Sequence, residues 1–174
     1  KSGIEGVDWE YWSPTPYFKT TNNYRGGRLK CFGADFTGDK QAFLEDFANT
    51  IKEDIAYLNE NGIPIIQYGL QNEPHVGGET TSPYSSCMYT NEQYYETMKV
   101  VIPTLKEAYP YLHVHADSGA GQYGRGGALI RQDPELLALI DGWTFHYIGS
   151  DSNTQINSAD YFNSNKGRDD IVVY

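Results

Sequence analysis

The stretch IPIIQYGLQNEP, residues 63–74, decides how the rest of the chain is read. Ile63, Ile65, Ile66, Tyr68 and Leu70 form a nearly continuous apolar run of strand length, the pattern of a strand covered on both faces in a parallel sheet. The run ends abruptly in Asn72-Glu73-Pro74. Burial accounts for the isoleucines, but not for an amide and a carboxylate set where the strand emerges. Pro74 can donate no ladder hydrogen bond and turns the chain out of the strand at that point.

Upstream, residues 4–12 (IEGVDWEYW) read as a strand halted by the prolines of Ser13-Pro14-Thr15-Pro16. A polar, glycine-rich connection leads to an amphipathic helix from Lys40 to Asn61, where Leu44, Phe47, Ala48, Ile51, Ile55 and Leu58 recur at steps of three and four and Asn61-Gly62 stops the turn. Downstream, Thr90 and Gln93 have the spacing of a capping box. The stripe Tyr95, Met98, Val101, Ile102, Leu105, Ala108 carries that second helix to Pro110, with Pro103 expected to kink it. His113 to Asp117 is a short strand, and a helix follows over Pro134–Ile140 with Asp133 as its N-cap. DGWTFHY (141–147) and IVVY (171–174) are further strands.

Alternation of strand and helix predicts a parallel sheet with crossover helices, either doubly wound or a (β/α)8 barrel. A nucleotide-binding doubly wound fold carries a glycine fingerprint after its first strand. Trp12-Ser13-Pro14 stands there instead, and the G-x-G-x-x-G spacing within the later GAGQYGRGG (119–127) follows the Asp117-Ser118 end and not the first strand. The barrel is the expected fold, with residues 1–174 as one catalytic domain.

Barrel chemistry sits at the carboxyl ends of the strands, which here carry Trp12-Ser13, Asn72-Glu73, Asp117-Ser118 and His146-Tyr147. Glycosidic cleavage needs one carboxylic acid to protonate the leaving oxygen and a second carboxylate across the sugar. Glu73 is placed to be the first. The Asn72 amide can bond the sugar hydroxyl beside the anomeric carbon, Trp12 offers a flat apolar face for a sugar ring, and Asp117, His146 and Tyr147 are further candidates to line the pocket.

Other chemistries find less support. No Gly-x-Ser-x-Gly elbow exists for a nucleophilic triad. His113-x-His115 alternates along a strand without an evident third ligand, so no metal or other cofactor is expected. With 23 acidic residues against 13 basic ones the net charge is −10, which repels phosphate backbones and argues against nucleic acid. No apolar stretch approaches the ~18 residues of a membrane span. Cys31 and Cys87 fit no zinc spacing; they pair in an oxidising compartment or remain free thiols.

Four segments together resemble glycoside hydrolases of the clan A barrel type, most closely family 30. They are WSPTPYFKTTNNYRGGRL (12–29), GIPIIQYGLQNEP (62–74), YSSCMYTNEQ (84–93) and DGWTFHYI (141–148), in the family's order and over nearly the whole chain. The resemblance implies a retaining β-glycosidase acting on a β-linked polysaccharide or oligosaccharide and secreted from the cell. It implies Glu73 as general acid/base, Asn72 as partner of the sugar 2-hydroxyl, Trp12 beside the reactive sugar, and His146 with Tyr147 lining the same pocket. Thr15 replaces a family proline and Tyr17-Phe18 a Trp-Met pair, which bears on which sugar fits and not on the class.

By the same resemblance the nucleophilic glutamate belongs at the end of the family's seventh strand, in which DDIVVY ends the chain. A whole barrel takes about 250 residues, so the expectation is a partial barrel holding strands three to seven, which needs the remainder of the barrel as its partner. Alone, such a piece is expected to leave two sheet edges open and to turn over no substrate, because one carboxylate cannot fill both roles. A non-catalytic carbohydrate-binding unit and another clan A family are the alternatives.

Overall fold

The structure, a computed structural model, describes residues 3–78, 80, 82–120, 126–146 and 163–174. Its centre is a five-stranded sheet: β1 (Val7–Glu10), β2 (Ile65–Gly69), β3 (His113–Ala120), β4 (Gly142–His146) and β5 (Val172–Val173). All neighbours pair in parallel and the spatial order is β1-β2-β3-β4-β5. A doubly wound sheet reverses its strand order at a switch point; this one runs on in one direction, as the wall of a β/α barrel does.

The connections are α1 (Lys40–Glu60) between β1 and β2, α2 (Asn91–Ala108) between β2 and β3, and the short α3 (Gly126–Ile130) and α4 (Pro134–Leu137) before β4. Side-chain caps start α1, α2 and α4. Asp39 accepts from the Ala42 N–H, Thr90 and Gln93 form the full capping box, and Asp133 accepts from the N–H groups of Glu135 and Leu136. Gly62, at φ +82°, ends the α1 turn in a conformation that suits glycine. The helix α2 runs unbroken through Pro103.

The core is where the helical stripes meet the sheet. Leu44, Phe47, Ile51 and Ile55 of α1, and Met98, Val101, Ile102 and Leu105 of α2, are buried in one cluster with Tyr68, Val114 and Trp143. Fully burying each such side chain is worth about 1.5–3 kcal/mol.

Several sequence expectations need correction. The first strand is Val7–Glu10, not residues 4–12. The β2 run is not covered on both faces: Ile66 is 41% exposed. Its neighbour there is Gly6, which has no side chain to cover it, and a Cβ on Gly6 would lie 2.6 Å from Ile66. The helix foreseen over Pro134–Ile140 closes after Leu137, and the preceding α3 was not foreseen. Cys31 and Cys87 are both buried free thiols whose pKa values burial pushes up to about 12, leaving them inert as nucleophiles at neutral pH.

Candidate active site

The chain past β2 stays bonded to its neighbours up to the rim. The Asn72 N–H donates to the Tyr11 carbonyl (2.7 Å) on the β1 side, and the next N–H, of Glu73, donates to the Ser118 carbonyl (3.0 Å) on the β3 side. Consecutive residues thus bind strands on opposite sides. To do so Glu73 takes φ +47°, a left-handed conformation rare for a residue with a side chain and rarer still before proline. Such strain costs on the order of 1–3 kcal/mol and persists where the surroundings over-determine it.

Both carboxylate oxygens of Glu73 are held. Tyr84 Oη donates to Oε2 (3.0 Å), and His146 Nδ1, at the end of β4, lies 3.1 Å from Oε1. Tyr84 packs edge-on against Trp12, with ring centroids 5.8 Å apart, and Trp12 is 55% exposed, so an indole open to solvent lies next to the ring that bonds the carboxylate. Gln71, wholly buried, donates from Nε2 to the carbonyls of Trp12 and Asn72 (both 2.8 Å) and so locks the rim of β1 to that of β2. Lys19 is an internal staple: buried, it donates to Ser13 Oγ (2.9 Å) and to the carbonyls of Tyr24 and Ser86. Burial lowers its pKa, and the oxygens around it compensate the buried charge.

The bonding continues from His146. Its Nε2 lies 3.4 Å from Ser118 Oγ, which donates to Glu10 Oε2 (2.9 Å) at the end of β1. One layer deeper, His115 Nε2 faces Asp8 Oδ1 (3.2 Å) and Nδ1 faces Thr144 Oγ1 (2.8 Å). Gly69 makes room for both layers: a Cβ there would lie 2.3 Å from the His115 ring and 2.6 Å from Glu10 Oε1. Burial raises the Glu10 pKa, against the opposing pull of Ser118 and the nearby histidines.

Of the residues singled out in the sequence, Glu73, His146 and Trp12 are at this rim, and Asn72 adjoins it with its N–H on Tyr11 and its carbonyl on Gln71. Tyr147 lies outside the described residues. Asp117, expected to line the pocket, does not. The strand register shifts between Asp117 and Gly119, where Asp117 and Ser118 take φ +76° and +46°. Ser118 enters the rim cluster, whereas Asp117 is buried against α2 and α3: its N–H donates to Tyr94 Oη (3.1 Å) and its Oδ1 accepts from the Gly127 N–H (2.7 Å). Desolvation there pushes its carboxyl pKa up to about 7.

Glu10 and Tyr84 join the cluster without having been proposed for it, and Ser118 had been named only as part of a strand end. Tyr84 opens the segment YSSCMYTNEQ and was within reach of the resemblance. Glu10 and Ser118 are 108 residues apart and meet only once β1 and β3 flank β2. A separate cavity of about 880 Å³, lined by Thr20, Arg28, Lys30, Phe32 and Phe36 among others, shares none of these residues.

No protein-family model and no curated protein sequence matches the chain. Solved structures do. It superposes on SrfJ from Salmonella typhimurium with TM-score 0.68 at 21% identity, over 97% of this chain and 34% of that one. On the endo-beta1,6-glucanase BT3312 the TM-score is 0.72 at 15% identity, over 97% and 36%. On the glycoside hydrolase family 30 subfamily 8 xylanase Xyn30A from Clostridium acetobutylicum it is 0.66 at 19% identity, over 97% and 47%. The chain therefore has the fold of part of these proteins, and spans between a third and a half of their length.

Proposed function

We propose that this chain supplies the acid/base side of a retaining β-glycosidase site of the family 30 type, cleaving O-glycosidic bonds in a β-linked polysaccharide or oligosaccharide. The observation that carries the reading is Glu73: a strained, half-buried carboxyl at the rim, bonded at both oxygens, one of them by a tyrosine that packs on an exposed indole. The likeness to an endo-glucanase and a xylanase supports the same class.

In this reading a sugar ring packs on Trp12 and the Asn72 amide bonds its 2-hydroxyl, a contact that strengthens as positive charge develops at the anomeric carbon. Glu73 gives its proton to the leaving oxygen, then, as a carboxylate, takes one from the water that hydrolyses the glycosyl-enzyme. His146 and Tyr84 keep its two oxygens fixed through both steps. Retaining cleavage requires a second carboxylate about 5–5.5 Å away. Glu10 is turned inward to Ser118, and the resemblance to family 30 implies as nucleophile a glutamate following the strand that contains Val172 and Val173. No cofactor enters, and a secreted enzyme of polysaccharide degradation is the setting this chemistry implies.

Leaving-group dependence tests the assignment in the assembled barrel. Glu73→Gln is expected to slow cleavage of an unactivated β-glycoside by about 10²–10⁴-fold, and to spare the first step on a dinitrophenyl glycoside, whose departure needs no proton. Equal losses on both substrates would remove Glu73 from the acid role.

A further inference from the structure

Glu10, Ser118 and His146 come from three different strands and form a hydrogen-bonded line that ends on Glu73. We propose that Glu10, acting through Ser118, selects the tautomer of His146 and thereby keeps a proton on Glu73. Glu10 is then a positioning residue, not a catalytic one, and this role rests on reading Glu73 as the acid/base.

The argument is a proton count. Ser118 has one hydroxyl proton, and a carboxylate can only accept, so with Glu10 ionised that proton points to Oε2 at 2.9 Å. The hydroxyl then offers only lone pairs to His146, whose Nε2 must carry a hydrogen to make the 3.4 Å contact. In the neutral ring Nδ1 is therefore bare, and the 3.1 Å contact with Glu73 Oε1 must itself hold a proton, either as Glu73 O–H facing Nδ1 or as carboxylate facing imidazolium. Reversal has the opposite result. If Ser118 donates to Nε2, Nδ1–H donates to a Glu73 carboxylate, and the pair has one proton fewer. Through a catalytic cycle the proton lost to the leaving oxygen returns from water, while Glu10 and Ser118 end as they began.

The surroundings support a directed line. Among the described residues the buried Glu10 Oε1 has no hydrogen-bond partner, so the carboxyl is aimed by its other oxygen, and Gly69 leaves the space it occupies. Among the described residues the titratable groups facing Glu10 are Asp8 on its own strand, His115 on β3, His146 on β4, and the phenols of Tyr68 on β2 and Tyr94 on α2; those facing His146 are Glu73, His75 and Glu10. Burial raises the Glu10 pKa, so the selection weakens as pH falls and Glu10 takes up a proton.

Ring ¹⁵N NMR of histidine-labelled protein near neutral pH reads the tautomer directly. In the wild type His146 Nε2 is expected to be protonated. In Glu10→Gln the amide NH₂ turns to Ser118, since among the described residues the Oε1 position offers it no acceptor; Ser118 then donates to the ring and the proton is expected on Nδ1, with Nε2 bare. In Ser118→Ala the link is cut and the two nitrogens are expected to average, which decides the matter even if Glu10→Gln fails to fold. An unchanged His146 pattern in the folded variants would overturn the proposal. The measurement requires no turnover, so it stands apart from the leaving-group test: a glycosidase reading that failed there would leave the tautomer result intact.

Discussion

In the core, Phe47, Ile51, Ile55, Met98 and Ile102 lie in one buried apolar cluster with Tyr68 and Trp143, and what matters there is filled volume. At the carboxyl ends of the same strands, Glu10, Glu73, Ser118 and His146 form a line in which the direction of each proton matters. The backbone differs as sharply. Among the described residues four non-glycine positions have positive φ; Glu73 and Ser118 are at this rim, Asp117 precedes Ser118 in the chain, and only Asn22 is elsewhere. The same sheet stores stability in its packed core and spends part of it in strained, polar positions at its rim, the usual signature of a site shaped by function.

Three substitutions probe that division. The largest stability change is expected from Ile102→Ala, which empties part of a fully buried site and should lower the unfolding free energy by about 2–5 kcal/mol in a urea titration. The histidine ring signals at the rim should stay where they are; movement of His146 would show that core and rim are coupled.

Asp117 lies between the two regions and gives a pH signature. Its carboxyl titrates at about 7 when folded, against an unperturbed 3.8. The native state therefore holds the proton over a window where the unfolded chain has lost it. Its contribution is intact below pH 4 and is lost as pH rises toward 7, at no more than about 1.4 kcal/mol per unit. In Asp117→Asn, which keeps an acceptor for the Gly127 N–H, the unfolding free energy should vary less between pH 4 and 7. An undiminished slope would place the titration on another group.

The smallest effect belongs to Tyr84→Phe. It removes one hydrogen bond from Glu73 and keeps the ring against Trp12, a change of about 0.5–1.5 kcal/mol, or roughly 2–10-fold in turnover. Thermal stability should shift little. A large drop in stability with unchanged turnover would make Tyr84 a packing residue.

The sequence disclosed these regions unevenly, for physical reasons. The helical stripes of α1 and α2 were legible because burial imposes a period, and the caps at Thr90 and Asp133 because they depend on neighbours within three residues. The five-residue α3 was not, since Gly126 and Gly127 open it and so short a helix imposes no period. Glu73 was visible as a carboxylate ending an apolar run. Glu10 was not: a lone acid in a strand of Trp9 and Tyr11 reads as a surface position until β3 brings Ser118 to it. Asp117 and Ser118 were read as one strand end, and the register shift that separates their directions lies in backbone angles the sequence does not announce.

The central claim is that Glu73 is the proton donor of a sugar-cleaving site. In the assembled barrel carrying Glu73→Ala, hydrolysis of an activated aryl β-glycoside in the presence of azide tests it most directly. The account predicts that azide restores turnover and leaves a β-glycosyl azide as product, because a small anion then attacks the glycosyl-enzyme without a base. Wild-type rates in the variant, with azide neither accelerating the reaction nor appearing in the product, would contradict it.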